Sequence, residues 1–165
     1  MNHELRTEGL DFVDTAPEVF VFDAIVEAPR PVVFGAISAD PSTWTWFPGL
    51  SRAKYHGPGP HGLGSIREVH MAGTAYRETM IGWTEPSLWA YRVDASSAPL
   101  AHALVETWEL IETGDGAEHT IVRWTFAIDP KALFKTGKVA AATVMGTLFR
   151  KAMANLSDHL TGTAR

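Results

Sequence analysis

Two kinds of side chain in this sequence could act on an organic molecule. His102 has an unperturbed pKa of ~6.5, so it could serve as a general acid or base near neutral pH. Tyr76 or Tyr91 could donate a hydrogen bond to a carbonyl oxygen. His102 opens a predicted strand, where it could equally lie exposed at the rim of the fold. His102 and Tyr76 are therefore the catalytic candidates, but the sequence leaves open whether any reaction is catalysed.

Other reactive groups are not predicted. The chain has no cysteine, and its seven histidines never take the HxxxH or HExxH spacing of a metal-binding helix. No G-x-S-x-G pattern marks a serine nucleophile. Gly57, Gly59 and Gly62 match the letters of the dinucleotide fingerprint. However, prolines stand between these glycines, and a strand rather than a helix is predicted to follow. We therefore expect no metal and no cofactor.

Composition and charge narrow the class of protein. The 165 residues carry a formal net charge of −5, which argues against nucleic acid as a partner. No apolar run approaches the ~20 residues of an integral membrane segment. The N-terminus lacks the apolar core of a signal peptide, so a cytoplasmic location is expected. Six Trp, eight Phe and three Tyr indicate either a large aromatic core or a wide apolar cavity.

A long helix is predicted over residues 131–160, and the rest of the chain must pack around it. Its apolar residues recur every three or four positions, which places them on one helical face. They are Val139, Ala142, Met145, Phe149, Met153, Leu156 and Leu160. Thirty helical residues span ~45 Å, so this face needs a broad apolar partner surface.

Residues 1–17 are interpreted as a flexible leader, and residues 18–161 as one ligand-binding domain. Within this domain, strands supply the apolar surface that the helix needs. Strands are predicted at 19–28, weakly at 50–56, and then at 65–71, 75–83, 89–95, 102–112 and 119–129. Their short connections, including a tight turn at Asp115-Gly116, favour antiparallel pairing. In the last strand, Val122, Trp124, Phe126 and Ile128 should face the helix, with the other face in water.

Two short helices are predicted between the first two strands. Pro29-Arg30-Pro31 suits entry into the first of them, and Ser42 could cap a second that runs to Phe47. The fold class is therefore α+β: a curved antiparallel sheet of about seven strands around a long C-terminal helix, with two short helices after the first strand.

Several segments in this order resemble the START-like, polyketide cyclase/dehydrase (SRPBCC) superfamily, whose fold is called the helix grip. The matching segments are Ala28-Pro29-Arg30-Pro31-Val32-Val33-Phe34, Trp44-Thr45-Trp46-Phe47-Pro48-Gly49, Gly62-Leu63-Gly64-Ser65-Ile66-Arg67, Arg77-Glu78-Thr79-Met80, Glu85-Pro86, Tyr91-Arg92-Val93 and Trp108-Glu109-Leu110. The resemblance covers about residues 18–160. It implies a deep cavity between sheet and helix, which in relatives holds lipids, sterols, hormones or polyketides.

The resemblance, combined with strand alternation, implies which side chains face this cavity. The ligand-binding residues so implied are Arg67, Val69, Met71, Tyr76, Glu78, Met80, Trp89, Tyr91, Leu104, Glu106, Trp108, Trp124, Phe126, Met145, Phe149 and Met153. A single bulge would reverse such an assignment. Arg67 and Glu78 should form an ion pair across adjacent strands. That pair either fixes the sheet or anchors a polar group of the ligand.

The predicted function is binding of an apolar or aromatic small molecule inside the domain. One alternative is an enzyme of the polyketide cyclase or dehydratase type. Another is a protein-interaction module, which a large exposed apolar patch would favour. The sequence also leaves a homodimer open, and it does not name the ligand.

Overall fold

The computed structural model describes residues 3–114 and 118–162, so the turn predicted at Asp115-Gly116 lies outside the described residues. The described elements follow the predicted order. They are β1 (His3–Glu4), α1 (Phe12–Thr15), β2 (Glu18–Val26), α2 (Arg30–Ser38), a 3-10 turn (Pro41–Thr43), β3 (Leu50–Tyr55), β4 (Ile66–Met71), β5 (Thr74–Thr84), β6 (Leu88–Ser96), β7 (Ala101–Glu112), β8 (Thr120–Pro130) and α3 (Ala132–Thr161).

The strands form one antiparallel sheet in the order β2-β8-β7-β6-β5-β4-β3. The two-residue β1 lies off this path and pairs with β6. The predicted helix-grip fold is thereby confirmed, with the two-residue β1 added to the predicted strands. Within the described residues, no helix combines the length and apolar character needed to cross a bilayer.

The long helix α3 packs mainly against β2, and it does so through its C-terminal half. Phe149, Met153 and Leu156 on this half are fully buried. In the N-terminal half, Val139 is 76% exposed, so its predicted place on the buried face was wrong. Periodicity selected the correct face in the C-terminal half of the helix. In the N-terminal half, Val139 and Val144 are exposed.

Gly146 lies where α3 packs directly against the sheet. A Cβ atom at this position would lie 2.9 Å from the Phe22 ring of β2. Of the two roles that a glycine in this helix could play, room for a ligand or room for a strand, the contact favours the strand. The glycine lets the Phe22 ring pack directly on the helix backbone.

The N-terminal segment, predicted to be a flexible leader, makes ordered contacts with the sheet in the structure. β6 and β7 pair with each other only up to Arg92, and beyond that point β1 fills the gap between them. The Leu5 N–H donates to the Asp94 carbonyl of β6, and the Arg6 N–H to the His102 carbonyl. Phe12 of α1 is then buried on the outer face of the sheet.

This packing also changes the solvent exposure of β8. Val122 and Ile128 are buried towards the helix side as predicted. On the opposite face, however, Ala127 is fully buried, because it packs in one cluster with Phe12 and Ala103. The outer face of the sheet, which was predicted to contact water, is therefore partly covered by the N-terminal segment.

The segment after α2 contains less helix than predicted. α2 begins after Pro29 as expected, but the second helix is only the 3-10 turn Pro41–Thr43. Its cap is the Asp40 carboxylate, which accepts a hydrogen bond from the Ser42 N–H, so the predicted capping role of Ser42 was wrong. The aromatic residues that follow this turn, Trp44, Trp46 and Phe47, are buried in the core.

Candidate functional site

A cavity of about 300 Å³ lies between the sheet and the middle of α3, which contributes residues from Ala141 to Phe149. Most of the residues predicted to face a ligand line it. These are Arg67, Val69, Met71, Tyr76, Glu78, Tyr91, Leu104, Glu106, Trp108, Trp124, Phe126, Met145 and Phe149.

Three predicted residues do not reach the cavity, because the aromatic residues after α2 fill that end of the sheet. Met80, Trp89 and Met153 are fully buried in the same core cluster as those aromatics. The Trp89 ring, for example, packs with its centroid 5.7 Å from that of Trp44. Strand alternation gave the correct inward face for these residues. It could not show where along the sheet the cavity ends.

His102 faces away from the cavity and is exposed. The β7–β8 register shifts between Ala101 and Ala103, so His102 occupies a bulge and the alternation breaks there. Ala101 and Leu104 line the cavity on either side of it. The predicted catalytic role of His102 therefore has no support in its geometry, whereas Tyr76 does line the cavity.

Several cavity residues were missed because they come from segments that sequence patterns did not place. Leu5 enters from the N-terminal segment, and Trp44 and Phe47 come from the loop after the 3-10 turn. The N-terminal segment gave no signal in the sequence, since it is polar and its only strand is two residues long. The Trp-rich loop did carry one, because clustered aromatic residues commonly line pockets.

Arg67 and Glu78 form the predicted ion pair inside the protein. They face each other across β4 and β5, and Arg67 Nε donates to Glu78 Oε2 at 2.6 Å. Both side chains are buried, and the guanidinium lies over the rings of Trp89 and Tyr91 at 4.6 and 4.7 Å. Burial raises the pKa of Glu78, although the charge of Arg67 acts in the opposite direction. Within the described residues, Arg67 Nη1 has no hydrogen-bond partner.

Glu106 is a second buried carboxyl group on the cavity wall. Its Oε2 accepts hydrogen bonds from the Tyr91 hydroxyl at 2.5 Å and from Trp124 Nε1 at 2.8 Å. Burial, followed by the negative charge of Glu78, raises the pKa of Glu106 from its ordinary 4.5 to about 7. Burial also raises the pKa of Tyr91 well above its ordinary value. The Tyr91 hydroxyl therefore remains a hydrogen-bond donor.

The cavity thus joins an apolar space to a small polar region. Aromatic rings form much of its wall, and the Trp108 and Trp124 rings pack with centroids 5.8 Å apart. The polar region offers an ion pair, a tyrosine and a carboxyl that titrates near neutral pH. Such a site can enclose a flat apolar molecule and fix one polar group on it. Across residues 3–114 and 118–162, no three metal-ligating side chains converge.

Comparison with known proteins agrees with this architecture. The sequence pattern of the polyketide cyclase/dehydrase and lipid transport family matches residues 19–161. An uncharacterised protein of Mycobacterium tuberculosis is 29% identical over 121 residues, which cover 72% of this chain and 70% of that protein.

Solved structures share the fold at low sequence identity. A START superfamily protein from Mycobacterium smegmatis superposes with a TM-score of 0.67 at 10% identity, covering 88% of this chain and 98% of that one. Major latex-like protein 151 from Panax ginseng gives a TM-score of 0.69 at 11% identity, covering 86% and 96%. This fold is commonly a ligand-binding one. The chain therefore belongs to the polyketide cyclase/dehydrase and lipid transport family, within the START-like (SRPBCC) superfamily.

Proposed function

We propose that this protein binds an apolar small molecule with an aromatic or otherwise flat part inside the cavity between the sheet and α3. The observation that carries the proposal is the cavity of about 300 Å³ itself, whose wall combines aromatic rings with the polar groups of Arg67, Glu78 and Glu106. Ligand pockets combine these same features: an apolar wall and a few convergent polar groups that fix orientation.

The size of the cavity supports binding over a packing defect. Protein interiors contain few voids larger than a water molecule. A space of about 300 Å³ reaches the range of small-molecule pockets, which is ~300–1,000 Å³. An apolar ligand that displaces water from this wall gains the free energy of the apolar surface that it buries.

The N-terminal half of α3 offers the route of entry. Val144 lines the cavity and is also 57% exposed, so the cavity meets solvent beside it. Ala141, one turn earlier, also lines the cavity. A ligand would pass between this half of the helix and the sheet, where helix and sheet are not packed together.

A blocked cavity tests the proposal. Ala141→Trp adds a large side chain at the cavity wall and should weaken binding of the neutral apolar dye Nile red by at least ~10-fold, since it fills the space that the dye needs. Val139→Trp is the matched control, because Val139 is exposed on the same helix and does not line the cavity. Equal dye binding by both variants and the unchanged protein would contradict an internal site.

Glu106 favours an enzyme as the second candidate. A carboxyl with a pKa of about 7 can both accept and donate a proton near neutral pH, and Tyr91 is hydrogen-bonded to it at 2.5 Å. Turnover of an aromatic polyketide that Glu106→Gln abolishes, and that His102→Ala leaves intact, would support acid–base catalysis in the cavity.

A further inference from the structure

We propose that the ligand carries a protonated amine, which pairs with Glu106 while its apolar part lies against the aromatic wall. This inference rests on the proposed function and specifies the chemical class of the ligand. It follows from the charges on the cavity wall, from the free acceptor atom of Glu106 and from the rings around that atom.

The charges on the cavity wall do not balance. The described residues that line the cavity include one cation, Arg67, and two carboxyl groups, Glu78 and Glu106. Arg67 is held by Glu78, with Nε 2.6 Å from Oε2. Glu106 therefore has no cation of its own, and a buried carboxylate without one is costly. A ligand that brings a positive charge would remove this cost.

One oxygen of Glu106 is available to such a ligand. Both hydrogen bonds that its side chain accepts, from Tyr91 and Trp124, end on Oε2. Within the described part of the chain, Oε1 has no hydrogen-bond partner. The side chain is 8% exposed and lines the cavity, so the carboxyl group meets the space that a ligand would fill.

The surroundings of Glu106 suit a cation. The rings of Trp124 and Phe126 pack edge to face with centroids 5.9 Å apart, and Trp108 lies beside Trp124 on the same wall. Aromatic faces attract ammonium groups through their quadrupole, most strongly where water is excluded. Tyr91 contributes its hydroxyl to the carboxyl group, while its ring lies against the Arg67 guanidinium.

Other ligand charges fit this wall less well. Among the groups facing Glu106, β5 presents Glu78 and Tyr76, β4 presents Arg67, and β6 presents Tyr91. The described cavity residues of α3 carry no charge. A ligand carboxylate could accept from Arg67 Nη1, but it would set three carboxyl groups against one cation. A neutral alcohol can share a hydrogen bond with Glu106, but it brings no cation to the carboxylate that forms above about pH 7.

Three probes of similar length separate these cases: 4-phenylbutylamine, 4-phenyl-1-butanol and 4-phenylbutyrate, each measured by isothermal titration calorimetry. At about pH 8 the amine should bind at least ~10-fold more tightly than the alcohol, and the acid most weakly. Near pH 5.5 the advantage of the amine should fall about 10-fold, because Glu106, with a pKa of about 7, is then protonated. The amine itself stays charged at both pH values.

Glu106→Gln should remove the preference for the amine over the alcohol at about pH 8. Glutamine keeps a carbonyl oxygen that can accept from Tyr91 and Trp124. Glu109→Gln is the control, since Glu109 is an exposed carboxylate on the same strand. If Glu106→Gln fails to fold, the pH dependence of amine binding by the unchanged protein still tests the inference.

The outcomes are distinguishable from failure of the proposed function. If Nile red binds and the alcohol equals or exceeds the amine at about pH 8, the inference is overturned and the proposed function stands. If Nile red binds and none of the three probes displaces it, the inference is likewise overturned. If neither the dye nor any probe binds, both the inference and the proposed function are overturned.

Discussion

Ionisation of Glu106 should make the folded protein less stable as the pH rises, and Glu106→Gln should abolish that loss. The folded-state pKa of this carboxyl is about 7, above its ordinary 4.5. A carboxyl whose pKa is raised by folding opposes folding when it ionises. The penalty is small below about pH 4.5, grows as the pH rises through 7, and levels off above about pH 8.

The size of this effect follows from the two pKa values. Their separation is about 2.5 pH units, and each unit corresponds to ~1.4 kcal/mol. The full penalty is therefore ~3 kcal/mol, most of which develops between about pH 5 and pH 8.5. Because Glu106 is buried, solvent screening does not reduce it much. Glutamine at this position has the same shape without the charge.

Urea unfolding, followed by circular dichroism at about pH 5 and about pH 8.5, measures the free energy of unfolding of each variant. The stability of Glu106→Gln minus that of the unchanged protein should increase by ~2–3 kcal/mol from pH 5 to pH 8.5. Glu109→Gln, which changes an exposed carboxylate on the same strand, should follow the unchanged protein. A difference that stays constant within ~0.5 kcal/mol between the two pH values would refute the reasoning.

Three further perturbations test the packing. Gly146→Ala should cost ~1–3 kcal/mol of unfolding free energy, because its Cβ would lie 2.9 Å from a β2 ring. Gly137→Ala, with open space around it on the same helix, should be neutral or stabilising, and equal effects would contradict the contact. Glu78→Gln should lower stability by ~3–5 kcal/mol by leaving Arg67 buried without a counter-charge, and Arg67→Met added to it should restore part of the loss. Phe12→Ala should cost ~3 kcal/mol, whereas a loss below ~0.5 kcal/mol would show that the N-terminal segment is not docked.

Strand alternation, combined with the family resemblance, predicted most of the residues that line the cavity, because alternation reports which side chains share a face. The period-two pattern of β4 and β5 placed Arg67 opposite Glu78, and the register of the sheet agrees. The same pattern failed at His102, where one extra residue in β7 turns the side chain outward. Nothing in the residues around His102 signals a bulge, because the bulge depends on how β7 pairs with β8.

The amino-acid sequence by itself determined the order of the elements, the face that each one buries and the ion pair between neighbouring strands. These are properties of short stretches, set by apolar periodicity and by turn residues. Only the tertiary structure decided where the cavity ends, that Leu5 and Trp44 enclose it, and that Glu106 lacks a counter-ion. Each of these depends on distances between residues far apart in the chain, which the curvature of the sheet and the partial docking of α3 fix.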